Sequence, residues 1–321
     1  MLVDPLSEIV SLLQPVARFS KLVECAGAWR IRRENINAPF YCAVLDGQCR
    51  MTVNGQSPAE LKSGDFVLVP AMRDLVVESL VAPAVGVSEV PKEIGPGHFR
   101  AGGGEAPIAL RMQIGYCDFS APNAALLVPL LPRMVLVRGE SRLIALIQLV
   151  SEEARAQRPA REHVLGRLLE VLLIEALRCQ TATDSDADAG SAPGLAQGLS
   201  DHRLAAALCA IHAQPGHPWT VAALAAEASL SRSAFFARFI RIVGLKPMEY
   251  LLTWRMALAK QLLRSRECGL EQVAERVGYS SANTFGTAFT RYVGMSPVRY
   301  ANAGDDVLTP SAARGGLRAS R

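Results

Sequence analysis

Residues 235–250 read FFARFIRIVGLKPMEY, and residues 285–300 read FGTAFTRYVGMSPVRY. Laid over one another, the two stretches match at Phe235/Phe285, Phe239/Phe289, Arg241/Arg291, Val243/Val293, Gly244/Gly294, Pro247/Pro297 and Tyr250/Tyr300. Ser231 and Ser281 keep the same step further upstream. A self-match of this density at one fixed period marks a duplicated supersecondary unit. Each copy carries its own punctuation. Ser231 or Ser281 can accept a bond from the free amides that open a helix. The two phenylalanines, four residues apart, share one helical face. Gly244 or Gly294 suits the left-handed residue that ends a helix, and a proline stands three residues beyond. The spacing predicts a helix of about three turns in each copy.

Upstream of each lies a second short apolar helix, at 220–228 (TVAALAAEA) and 270–277 (LEQVAERV), separated from the capped helix by a tight turn at 229–230 or 278–280. Two short helices across such a turn form a helix-turn-helix. Ala225 and Ala274 stand where the pair is pressed closest. Between the copies runs PMEYLLTWRMALAKQLLRS, 247–265, with proline in its first turn and Leu251, Leu252, Leu258, Leu262 and Leu263 at helical spacing. At 1.5 Å per residue this rod is about 27 Å long. It would separate the two capped helices by nearly the ~34 Å of one DNA turn, so both could enter successive major grooves on one face of a duplex.

Charge points the same way. Residues 200–303 hold twelve Lys/Arg against six Asp/Glu, a balance of +6, while residues 1–199 hold nineteen against twenty-two. The +4 of the whole chain averages a basic module and a slightly acidic one. Phosphate contact is the usual reason for such asymmetry.

Residues 219–300 resemble the paired helix-turn-helix domain of the AraC/XylS family of bacterial transcription regulators. The resemblance is carried by A-x5-S-R-S-x-F from Ala225 to Phe235, by Y-L-x-x-W-R-M from Tyr250 to Met256, and by VAERVGY followed by F-x-x-A-F-x-R and G-x-S-P-x-x-Y. It implies double-stranded promoter DNA as the partner. Base-edge contacts would come from Arg232, Ser233, Phe236 and Ala237 in the first copy and from Ala282, Asn283 and Thr287 in the second. Arg238, Arg241 and Arg291 would serve phosphates or structural partners. Phe236, Ala237 and Ala282 cannot make the bidentate bonds that identify a base, which shifts specificity toward Asn283, thymine methyl contact and DNA shape. Ala301 stands where family members often carry arginine.

The first two hundred residues are of another kind. Asp46-Gly47, Asn54-Gly55 and Gly64-Asp65 punctuate β-rich runs at about ten-residue spacing, which predicts a small antiparallel barrel or sandwich. The stretch G-x-C-x-M-x-V-x-G (47–55) followed by L-x-x-G-D-x-V-L-V-P (61–70) resembles the cupin-type sensor domain that precedes this DNA-binding domain in many such regulators, and the amphipathic DPLSEIVSLL at 4–13 fits it. The expected fold class is therefore α+β with two domains: a cupin-like β-barrel with a helical segment, then an all-α double helix-turn-helix. Phe40, Tyr41, Met51 and Phe66 are the candidate lining of a pocket for an unidentified small effector. Alternate positions of a small barrel also face inward merely to fill it.

A cupin can be an enzyme when a histidine-rich cluster holds a metal. Residues 30–90 contain no histidine, and the chain's five are His98, His163, His202, His212 and His217. No catalytic residues, metal ligands or cofactor are expected. Seven cysteines form no C-x-x-C pair or zinc spacing, which together with an N-terminus interrupted by Asp4 and Glu8 points to the cytoplasm and reduced thiols. Cys25 lies where some related regulators carry an oxidant-sensing cysteine, and nearby Arg18, Lys21 and Arg30 would lower its pKa. No run of eighteen apolar residues exists for a membrane span.

The expected organisation is a sensor domain at 1–138, a helical dimerisation segment at 139–180, a flexible linker at 181–200, the DNA-binding domain at 201–303 and a disordered tail at 304–321. In the helical segment Leu165, Leu168, Leu169, Leu172, Leu173 and Ala176 form a stripe that could pack on the barrel or pair two chains. A homodimer and RNA polymerase are the further partners this reading allows. The expected function is a transcription regulator, activator or repressor, that senses an effector or oxidant. The alternatives are an effector-binding protein or cupin enzyme without a DNA role.

Overall fold

The computed structural model describes residues 4–81, 83, 89–103, 106–121, 124–156, 158–183 and 193–303. Its N-terminal half opens with α1 (Pro5–Leu13), capped by the Asp4 carboxylate, and continues through β1 (Pro15–Ala26), β2 (Arg30–Arg33) and the long β3 (Ala38–Val53). There follow β4 (Ala59–Lys62), β5 (Phe66–Met72), β6 (Leu75–Glu78), β7 (Lys92–Gly95), β8 (His98–Gly102) and β9 (Ile108–Phe119). Then come α2 (Ala124–Leu127), a 3-10 turn (Val128–Leu130), β10 (Val135–Val137), α3 (Ser141–Arg155) and α4 (Arg161–Thr183). The helical half comprises α5 (Leu195–Ser200), α6 (His202–Ala213), α7 (Val221–Glu227), α8 (Arg232–Val243), α9 (Pro247–Ser265), α10 (Leu270–Arg276), α11 (Ala282–Val293) and α12 (Pro297–Asn302).

The strands form one curled sheet, a half-barrel, in the order β10-β5-β3-β9-β1-β8-β7, with β4 and β6 added to the far end of β3 and β2 to β6. Period-two alternation along β3 sorts its side chains. Phe40 and Cys42 enter the inner core with Val23, Met51, Val67 and Met112. Tyr41 and Ala43 enter the outer core with Phe66 and Leu68, beneath α1, α3 and α4. Neither face of the central strands is left to water, so β3 reads as a nearly unbroken buried run over its first seven residues.

Two expectations change in the structure, and a third, open between two forms, takes one of them. Asp46-Gly47 is not a turn: β3 runs through it, and the register against β9 shifts between Val44 and Asp46. Gly47 sits at φ +82°, where an added Cβ would lie 1.9 Å from the Ala109 carbonyl oxygen, so the pair makes a bulge that bends the strand. Asn54 and Gly55, both at positive φ, do turn the chain. The linker is shorter than 181–200, because α4 continues to Thr183 and α5 occupies the other end. Leu195 and Ala196 are buried, and Gly198 approaches so closely that a Cβ would meet Leu208 and Val243 at 2.8 and 2.9 Å. The remainder, 184–192, and the tail 304–321 lie outside the described residues. Finally, the α4 stripe of Leu165, Leu169, Leu172, Leu173 and Ala176 is buried in the chain's own core, with Leu168 packed beside it.

That core does not end with the sheet. One continuous apolar cluster runs from α1 and the sheet's outer face through α3, α4 and α5 into α6, α7, α8 and the first half of α9. The second helix-turn-helix has its own cluster, made by Met256, Ala259, Val273, Ala274, Phe285, Phe289 and Tyr300.

Candidate nucleic-acid interface

The duplicated sequence folds into duplicated geometry. Ser231 Oγ accepts from the Ala234 amide at 3.3 Å and Ser281 Oγ from the Thr284 amide at 3.2 Å. Gly244 and Gly294 both end their helices at φ +85°. Behind α8, the Phe235 and Phe239 ring centroids lie 5.5 Å apart, and Phe239 meets Tyr250 edge-on at 5.8 Å. Behind α11, Phe285 and Phe289 lie 5.4 Å apart, and Phe289 meets Tyr300 at 5.6 Å. The repeated aromatics are thus the scaffold that holds α8 against the start of α9, and α11 against α12 and the far half of α9. Ala225 and Ala274 are buried where the paired helices touch.

What α8 and α11 turn outward differs. On α8, Arg232, Ser233, Phe236, Ala237 and Arg241 are exposed, and Ile240 adds an apolar position on the same face. On α11, Asn283, Thr287, Thr290 and Arg291 are exposed, while Ala282 is half-buried. A shallow groove of about 680 Å³ runs along this helix between Leu270, Asn283, Thr287, Arg291 and Pro297. Asn283 makes no side-chain hydrogen bond among the described residues, so its amide keeps both donor and acceptor free. Thr287 Oγ1 donates to the Asn283 carbonyl at 3.1 Å, and Thr290 Oγ1 donates to Gly286 at 2.7 Å. Each threonine then offers a methyl group and an accepting lone pair. Thr290 and Ile240 were not singled out from the sequence, although each stands three residues past a named reader.

The arginines separate by role. Arg232, Arg241 and Arg291 make no ion pair among the described residues and stand exposed at the two helices. Arg238 is structural: its Nε donates to Asp201 Oδ2 at 2.8 Å, a second guanidinium nitrogen bonds the same oxygen, and Asp201 Oδ1 caps α6. Burial pushes the Asp201 carboxyl up. The bonds from Arg238, Leu204 and Arg203 outweigh that and hold it below its ordinary value. Arg255 is likewise internal, donating to the Pro215 and His217 carbonyls at 2.7 Å each, and so pins the loop before α7.

In the N-terminal half, Phe40, Tyr41, Met51 and Phe66 are all at most 2% exposed. Phe40 and Met51 fill the inner core, and Tyr41 and Phe66 the outer one. Tyr41 lies across Gly115, where a Cβ would stand 2.2 Å from its ring. None of the four borders the cavity of about 710 Å³ that opens one residue before Phe40, between Asn37–Pro39, Met72–Arg73, Phe119 and the α2 segment. Cys25 is fully buried. Burial, followed by Cys49, Glu89 and Glu24, pushes its thiol up to about 12, the reverse of what Arg18, Lys21 and Arg30 suggest from the sequence. A thiol in that state is not a reactive thiolate. No helix among the described residues is long and apolar enough to cross a membrane.

Two protein families match the chain: one described as a cupin over residues 4–182, and one described as a helix-turn-helix domain over residues 224–303. An AraC-like transcription regulator of Streptomyces antibioticus is 33% identical over 304 residues, spanning 92% of this chain and 98% of its own length. The HTH-type transcriptional regulator AlkR of Acinetobacter baylyi is 37% identical over 151 residues, 47% of this chain and 48% of its own. Among solved structures, the DNA-binding domain of AdpA in complex with a target DNA is 30% identical, with a TM-score of 0.31, and covers 32% of this chain and 94% of that one.

Proposed function

We propose, from the premise that this chain belongs to the family of AraC-like transcription regulators with a cupin N-terminal domain and a DNA-binding helix-turn-helix domain, a specific division of labour. α8 and α11 read two successive major-groove sites, and the N-terminal domain adjusts that reading to a small effector. The observation that carries this is the pair of identically capped, identically backed helices, each presenting unpaired arginine at its surface. The 19 residues of α9 give a rod of about 28 Å, close to one turn of DNA. The first half-site is read through Phe236, Ala237 and Ile240 against thymine methyls and groove shape, between Arg232 and Arg241. The second is read through Asn283 and Thr287, with Arg291 on phosphate.

The N-terminal half connects to this reader through packed core, so an effector that binds one arrangement of the two halves more tightly shifts their equilibrium. Leu149, Val164 and Val171, exposed on α3 and α4, are the outward apolar positions a second copy would cover. Activation would proceed through RNA polymerase at the promoter, in the cytoplasm where the DNA lies. No catalytic step belongs to this reading.

Binding of the purified chain to duplex DNA from upstream of its own gene, followed over a salt series, tests it. The expected result is a steep loss of affinity with salt and a preference over scrambled DNA of the same length. Absent or salt-insensitive binding would contradict it.

A further inference from the structure

The 710 Å³ cavity beside α2 has the chemistry of a ligand site and a position from which a ligand would be felt by the DNA-binding half. One wall is apolar, made by Phe119, Val128 and Pro129. The rim carries Arg73 and Arg133, both exposed, and neither makes an ion pair among the described residues. The one carboxylate on the wall, Asp118, is occupied by Arg18 at 2.5 Å. Asn37 and Gln56 add side-chain amides that have no hydrogen-bond partner among the described residues. Cavities of a few hundred cubic ångströms, mostly apolar with a few converging polar groups, are the usual form of small-molecule sites. Two unpaired guanidinium groups select oxyanions such as carboxylates and sulfonates, which they bind by paired hydrogen bonds.

The segment beside the cavity is two-sided. Ala124, Ala125, Val128 and Pro129 face the cavity, whereas Leu126 packs against the core of the second helix-turn-helix, and α2 lies against α9. Leu127, between them, is fully buried. A molecule that wedges between Phe119 and the α2 segment therefore pushes on the rod that spaces the two reading helices.

We infer that this cavity is the effector site, that its ligand is a small organic anion with an apolar body, and that α2 transmits its presence to α9. The inference rests on the effector role proposed above for the N-terminal half. It places the ligand outside the half-barrel, whose interior is packed with Phe40, Met51, Val67 and Met112.

The test uses the full chain and two fluorescent probes with related ring systems: anionic anilinonaphthalene sulfonate and neutral N-phenyl-naphthylamine. Wild-type protein should bind the anionic probe saturably, and the Arg73→Gln/Arg133→Gln double variant should bind it about tenfold more weakly or worse. Affinity for the neutral probe should change less than about twofold. The corresponding Arg→Lys double variant should retain intermediate binding of the anion, which controls for folding. Saturating anionic probe should also change the affinity of the wild type for its promoter DNA, while Leu126→Ala should keep probe binding and lose that change. Equal probe binding by wild type and the Gln variant would overturn the site, and a coupling that survives Leu126→Ala would overturn the route. DNA binding that is intact but indifferent to the probe would refute this inference and leave the DNA-binding reading standing. Loss of DNA binding in every protein would refute that reading instead.

Discussion

Asn283 and Arg291 sit two helical turns apart on α11, both exposed, and they should fail in different ways. Asn283 carries the free amide suited to adenine, so Asn283→Ala should lose about 1–3 kcal/mol of discrimination on the preferred site while leaving non-specific binding unchanged. Arg291→Gln should weaken all duplexes alike and flatten the salt slope by about one ion. Competition binding at two salt concentrations separates the outcomes. The opposite assignment would show as a salt effect for Asn283 or a sequence effect for Arg291. At this scale the sequence was most legible where residues recur. The Phe235–Phe239–Tyr250 and Phe285–Phe289–Tyr300 sets form the same cores, because aromatic spacing and capping chemistry are local. It was least legible for single side chains whose role depends on a distant partner. Arg238 is bound to Asp201, thirty-seven residues away. Cys25, surrounded in sequence by cations, points instead into an apolar core near Cys49.

The helices of the DNA-binding half are bounded by signals a few residues long, and they end where those signals say. Ser281 caps α11 as Ser231 caps α8, and each hydroxyl also meets a neighbouring exposed hydroxyl, Thr284 Oγ1 at 2.9 Å for Ser281 and Ser233 Oγ at 3.4 Å for Ser231. Ser281→Ala should cost about 1 kcal/mol of stability, and Ser281→Asp should recover most of it. Urea denaturation with an unchanged m-value measures this, and a loss well beyond 2 kcal/mol would show that the serine does more than cap. The strand half was less legible. Asp46-Gly47 has the composition of a hairpin turn, yet pairing on both sides of β3 holds the chain extended and turns the pair into a bulge. Likewise 193–200 has the small, Gly-containing composition of a linker, but Gly198 is small because α5 presses against Leu208 and Val243. Tertiary contact decided both cases, and no window of local sequence contains it.

The two halves of the molecule meet at a buried polar junction. His212 of α6 lies between Glu8 of α1 and Tyr250 of α9, 2.7 Å from each, and stacks on Trp254 at 4.0 Å. The Glu8 carboxylate can only accept, so Nδ1–H donates to it and Nε2 accepts from the tyrosine hydroxyl. Burial lowers the His212 pKa, against the opposing pull of Glu8 and Asp4. The folded chain therefore holds the ring neutral in a range where the unfolded chain takes up a proton. Stability is fully present above the ordinary histidine range and declines as pH falls through about 6.5. His212→Gln should flatten that decline, as read from melting temperatures between pH 7 and 5 in the two proteins. A wild-type profile rising toward pH 5 would reverse the sign of the argument.

This junction, the shared core and the α2 contact pack the N-terminal half and the helix-turn-helix half against one another rather than leaving them as two beads on a string. The two helices proposed to read DNA, α8 and α11, take their relation from the α9 rod that joins the two units. Selection of binding sites from a random-sequence duplex pool by the purified chain tests that relation most directly. The expected outcome is one enriched motif of two unlike blocks centred about 10 base pairs apart, with the second block losing its preference in the Asn283→Ala variant. Enrichment of a single block, or of none, would contradict it.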